Sequence, residues 1–139
     1  MLEKSFTEVY DKFKLQFYRK VFELVRERDG SLSAMEAFSL EVIKMLDHPT
    51  IGQFADFLNI SQSNATYKVN QLAAKGYLHK TVQAHDRREI VLTTSEKFSG
   101  YFDENEEEMQ KKVAALSAQF TPEELCSAER VLLALGTLL

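Results

Sequence analysis

SQSNATYKVNQLAAKG, residues 61–76, acquires two faces when it is wound as a helix. At roughly 100° per residue, Ala65, Val69 and Leu72 line one apolar stripe. Gln62, Ser63, Thr66, Tyr67 and Asn70 fall on the other side. Ser61 is a suitable N-cap, because its hydroxyl can accept from a free backbone N–H of the first turn. Gly76 stands where a glycine in the left-handed conformation ends a helix.

The flanks extend this unit. TIGQFADFLNI (50–60) opens with Thr50 and Gln53 at capping-box spacing and predicts a helix of about two turns. After Gly76, YLHKTV (77–82) and REIVLT (88–93) shift the period toward two and collect β-branched residues. QAHDR (83–87) between them is a loop of hairpin length. A short helix, a turn, a polar-faced helix and a hairpin with a basic tip make a winged helix-turn-helix over about 33–93. The fold class expected is mainly α with a small β-hairpin wing, an α+β chain.

Long helices surround that unit. Phe6, Val9, Phe13, Phe17, Val21 and Leu24 recur at spacings of three and four within residues 3–28, predicting one long helix. RDGS (28–31) breaks it, and SAME (33–36) is a capping box that starts a helix running to about Leu46, ahead of Pro49. A mostly polar helix is expected from 95 to about 118, with Phe98, Phe102, Met109, Val113 and Leu116 on one side. DENEEE (103–108) within it reads as a solvated face. In FTPEEL, Thr121 caps, Pro122 takes the first helical position and acids fill the first turn of a last helix ending in VLLALGTLL. Residues 1–139 read as a single domain with neither repeat nor flexible linker.

Composition narrows the classes of function. Net charge is −4 over 139 residues, yet residues 61–93 carry five cations against two anions, a local +3 that leaves −7 for the remainder. A local field of this kind bears on nucleic-acid binding more than the overall charge does. No apolar stretch reaches the roughly 18 to 20 residues of a membrane span, and the N-terminus has no export signal, so a cytoplasmic protein is expected. Cys126, the single cysteine, rules out an internal disulfide; it has no clear basic neighbour and reads as a small core residue rather than a redox sensor. His48, His79 and His85 lack metal-ligand spacing. No catalytic motif or glycine-rich phosphate loop occurs among only five glycines, so neither enzyme nor cofactor is expected.

The residue types suit the grooves of DNA. Amide and hydroxyl side chains on a helix can hydrogen-bond base edges in the major groove. A slim guanidinium on an extended tip suits the narrow, negative minor groove of A·T runs. The segment IGQFADFLNISQSNATYKVNQLAAKGYL with DRREIVLT resembles the MarR family of winged-helix transcription regulators. Leu72, Gly76, Asp86, Arg88, Leu92 and Thr93 stand in that family's usual places, and the long flanking helices agree. The chain departs from the family at LTTSEKF (92–98), where a glycine is common.

The resemblance implies a homodimer joined through helices in 3–28 and 95–139, binding double-stranded DNA at a pseudo-palindromic operator, with a repressor as the expected sign. The apolar content of residues 6–24 and of VLLALGTLL supports dimerisation independently, since monomers rarely expose such patches. Ser61, Gln62, Ser63, Asn64, Thr66, Tyr67, Asn70, Arg87 and Arg88 are the candidate DNA contacts. An exposed ion pair of Asp86 with Arg88 is the simpler reading of these two residues; the resemblance implies both roles at once, Asp86 bracing the wing while an arginine enters the groove. A small-molecule effector cleft, common in the family, would draw on Phe13, Phe17, Met35, Phe38 and Met45, although a stripe of this kind at helical spacing is core more often than pocket. The alternative function is a winged-helix protein-interaction module without DNA binding; the polar face and the DRR tip count against it.

Overall fold

A computed structural model describes residues 1–27 and 32–139, with side chains described for all of these except 27 and 99–105. The expected break at RDGS (28–31) and the side chain of Phe102 lie outside the described residues. The chain forms two compact units, Met1–Phe98 and Ser99–Leu139.

In the first unit α1 spans Leu2–Glu27, α2 Ala34–Met45, α3 Ile51–Leu58 and α4 Gln62–Ala74, followed by β1 at Leu78–Val82 and β2 at Ile90–Thr94. Local chemistry sets each boundary. At α2, Ser33 Oγ accepts from the Glu36 N–H (3.1 Å) while Glu36 Oε2 accepts from the Ser33 N–H (2.8 Å), so two orphan donors are satisfied reciprocally. Thr50 and Gln53 repeat the device at α3 (3.1 and 2.9 Å). Between these helices Asp47 and His48 both take left-handed backbone, at φ 53° and 57°, turning the chain before Pro49. Asn59, also left-handed at φ 54°, ends α3.

The end of α4 explains Gly76. With φ 81°, it lets its own N–H bond to Ala73 O (3.0 Å) and the Tyr77 N–H bond to Leu72 O (3.1 Å), the paired bonds of a Schellman closure. Any other residue there would be strained. The chain then enters β1, which pairs antiparallel with β2 through Lys80 opposite Leu92 and Val82 opposite Ile90. The α2–α3 link lies along the far edge of β2, where Pro49 O accepts from the Leu92 N–H at 2.8 Å and Thr50 bridges Val91. Strand β2 begins at Ile90, so Arg88 belongs to the loop and not to the strand expected from residue 88.

The core lies where these elements meet. Leu24 of α1, Leu40 and Ile43 of α2, Phe54 of α3, Val69 and Leu72 of α4, Tyr77, Leu92 and Phe98 are all fully buried. Burying each such large apolar side chain stabilises the fold by roughly 1.5–3 kcal/mol. Helix α5, Glu96–Ser117, starts directly after Ser95, whose Oγ donates to Gly76 O at 2.6 Å. The junction is therefore fastened without the glycine common in similar sequences.

In the second unit, the remainder of α5 leads to α6, Pro122–Gly136. A capping box of Thr121 and Glu124 opens α6, and the Thr121 backbone N–H holds the Glu124 carboxyl below its ordinary range. No residue of α6 is buried. Cys126 is accordingly exposed, which corrects the expectation of a core cysteine. Its helix has no buried side for it to join.

Candidate nucleic-acid interface

Helix α4 presents its polar residues as a ridge. Ser63, Thr66, Tyr67 and Asn70 recur at three- and four-residue intervals, opposite the buried Ala65, Val69 and Leu72. Ser61, Gln62, Ser63, Asn64, Tyr67 and Asn70 are exposed and Thr66 is half-buried. Asn64 lies roughly a third of a turn round from Asn70, at the edge of the ridge. Ser61 is engaged with the helix, its Oγ accepting from the Asn64 N–H at 3.1 Å and lying 3.2 Å from Ser63 Oγ. Thr66 Oγ1 donates back to Gln62 O (2.9 Å), and Gln71 Nε2 donates to the Tyr67 hydroxyl oxygen (2.9 Å). Asn70 Oδ1 accepts from Nζ of Lys80, a residue of β1, at 2.6 Å.

The wing tip is held by its backbone. The Gln83 N–H reaches Glu89 O (3.1 Å), the Glu89 N–H reaches Asp86 O (3.0 Å), and Asp86 Oδ1 accepts from the Arg88 N–H (2.9 Å). Asp86 thus engages the main chain of Arg88 and leaves its guanidinium to solvent. Arg87 and Arg88 are both exposed, and among the described residues no carboxylate pairs with either one. His85 Nε2 lies 3.4 Å from Glu89 Oε2 across the same turn.

Ridge and wing share one open cleft of about 400 Å³. Gln62 and Thr66 of α4 line one wall, Asp86, Arg88 and Glu89 of the wing another, and Thr50 with the first residues of α3 the floor. Residues more than twenty positions apart in sequence therefore face a common space. Free N–H groups at the start of a helix, hydroxyls, an amide and a guanidinium together suit a polyanion.

Residues 31–89, from before α2 to the loop at the tip of the wing, match the model of the MarR family. Over that stretch the chain is similar to the MarR family. Comparison with curated proteins gives no match. Among solved structures, FabT of Streptococcus pneumoniae in complex with DNA has a TM-score of 0.56 at 20% identity, covering 96% of each chain. A MepR mutant of S. aureus bound to an oligodeoxyribonucleotide scores 0.54 at 15% identity, over 100% of this chain and 99% of that one. Wild-type MarR of E. coli, in its apo form, scores 0.51 at 15% identity, over 93% and 95%. At such identities the likeness is one of fold, and it agrees with the mainly α, hairpin-bearing class expected from sequence.

The candidates for a MarR-type ligand cleft are only partly brought together. The rings of Phe17 in α1 and Phe38 in α2 meet at 5.9 Å between centroids. Phe13 is exposed about one turn nearer the start of the chain, and Met35 and Met45 are exposed at opposite ends of α2. Among the described residues no three His, Cys, Asp or Glu side chains come together as a metal site would require.

Two features escaped the reading of the sequence. Lys80 is one of several unremarkable cations until the hairpin folds its strand beside α4. Glu41 in AFSLEVIKM is only 6% exposed, next to the buried Leu40. Burial pushes its carboxyl up to about 7, against the attraction of Lys20 on α1. A carboxylate set within a buried helical stripe was the available signal.

Proposed function

We propose that the protein is a sequence-specific DNA-binding transcription regulator, a repressor, acting as a homodimer on a pseudo-palindromic duplex. The observation that carries this reading is the shared cleft, where Gln62 and Thr66 of the polar ridge stand across from Arg88 of the wing. In this reading Gln62, Ser63, Thr66, Tyr67 and Asn70 face base edges in the major groove, with Ser61 and Asn64 at the entry of the helix. Arg88, with Arg87 beside it, reaches the adjacent minor groove, and Asp86 holds the tip in shape.

The second copy is supported by apolar surface that the chain leaves uncovered. Phe6, Val9 and Phe13 on α1 are exposed, as are Val131, Leu132 and Leu133 on α6. A two-fold pair would set two α4 ridges about one helical turn of DNA, roughly 10 bp, apart. No helix among the described residues is long and apolar enough to cross a membrane, and a regulator of transcription works in the cytoplasm, where the DNA is. For a small-molecule effector the supporting contact is that of Phe17 with Phe38. Such a ligand would act only by binding the DNA-free form better than the bound one.

The test is a gel-shift with duplex from the region upstream of the protein's own gene, against scrambled duplex of equal length, over a salt series. Tighter binding to the first at every salt concentration is expected. Equal affinity for both would reduce the protein to a non-specific binder, and absence of any shift would remove the reading.

A further inference from the structure

The ridge contains a hydrogen bond that joins it to the wing rather than to its own helix. Lys80 Nζ, from β1, stands 2.6 Å from Asn70 Oδ1, from α4, with both side chains exposed. An ammonium only donates, so the atom facing it is the carbonyl oxygen of the asparagine and not its nitrogen. The orientation of the Asn70 amide is thereby settled. Its acceptor turns toward the wing and its two N–H bonds remain for whatever the ridge meets. An exposed contact of this kind contributes little to stability, yet it lies on the same helix face as Ser63, Thr66 and Tyr67.

We infer that Lys80 is a positioning residue for base selection: by holding the Asn70 oxygen toward the wing, it makes Asn70 a donor and so favours guanine over adenine. This rests on the DNA-binding reading. Adenine shows the major groove an acceptor, N7, beside a donor, the N6 amino group; an unconstrained asparagine matches both with its nitrogen and oxygen. With the oxygen held toward the wing by a charged donor and so turned from the base, the adenine amino group would be desolvated without a partner. Guanine presents N7 and O6, two acceptors, and the two N–H bonds of Asn70 suit that edge. The charge of Lys80 also adds to attraction for phosphate, but that effect is the same for every sequence.

The experiment selects binding sites from a randomised duplex library with the full-length protein, Lys80→Met, Lys80→Arg, Asn70→Ala and the Asn70→Ala/Lys80→Met pair. At the base position that Asn70→Ala leaves indifferent, the unsubstituted protein should choose guanine. Lys80→Met should weaken that preference about five- to tenfold, Lys80→Arg should retain it, and the double variant should match Asn70→Ala. In DNA-free protein, ¹⁵N relaxation should show the Asn70 side-chain amide loosened by Lys80→Met and held by Lys80→Arg. Thermal melting should be nearly unchanged, because both residues are exposed. Adenine at that position, or a uniform loss of affinity by Lys80→Met with the guanine preference intact, would overturn the inference and leave Lys80 a phosphate contact. Capture of no duplex by the unsubstituted protein would overturn the DNA reading itself, and this inference with it.

Discussion

Phe54, Tyr77 and Phe98 of the first unit are shut away from water, whereas Leu132 and Leu133 of the second stand 65% and 67% exposed. The residue types differ little; what differs is whether the same unit supplies a surface to cover them. In Met1–Phe98 three helices and a hairpin close over one another, so apolar stripes on α2, α3 and α4 find partners within the unit. In Ser99–Leu139, α6 is well capped and amphipathic yet buries nothing. Helix α1 shows both behaviours along its length. Val21 and Leu24 are buried near its end, while Phe6, Val9 and Phe13 remain exposed toward its start. Capping and propensity form a helix, but burial stabilises it, and half of α1 and all of α6 await a surface from elsewhere.

The strongest way to break this comparison is Phe54→Ala. A fully buried phenylalanine should cost about 3–5 kcal/mol on truncation, read as a lowered urea midpoint by circular dichroism. A loss near zero would mean that the first unit does not close on its own core. Leu132→Glu addresses the other side. If its exposed stripe meets a second copy, sedimentation should show self-association weakened about hundredfold, with the helix content of the chain retained. Unaltered association would show that this stripe is not the interface.

Glu41 sharpens the comparison, because it is a carboxyl inside the closed unit. Its folded value of about 7 lies above its ordinary 4.5, so between those values the folded chain keeps a proton that the unfolded chain has released. Stability is therefore highest below about 4.5 and falls as pH rises through about 7. Glu41→Gln should remove that fall and raise stability above neutral pH by about 3 kcal/mol, measured by denaturant titration across pH. A pH profile identical in the two proteins would contradict the burial of this carboxyl. The smallest effect belongs to Arg88→Ala, which removes an exposed side chain. Melting should shift by less than about 0.5 kcal/mol, while the slope of log affinity against log salt should flatten by about one unit. An unchanged slope would leave the tip a structural turn.

Much of this was legible in residues alone because it depends on short-range chemistry. Ser33 with Glu36, Thr50 with Gln53 and Thr121 with Glu124 declare their helix starts through side chains three residues apart, and all three boxes form. Gly76 declares the end of α4 for the same reason, since only a left-handed residue allows its two closing bonds. The stripe of Ala65, Val69 and Leu72 follows from helical period, and it is buried as that period requires. Tertiary structure decided what local period cannot carry. It set Cys126 in the open, because α6 finds no cover within its own unit, and it enclosed Glu41, because α1 packs over α2. It also drew Lys80 onto Asn70, ten residues away, through the fold of β1 beside α4. Spacing along a sequence fixes which side chains share a face; only the packing of elements decides which faces meet and which stay bare.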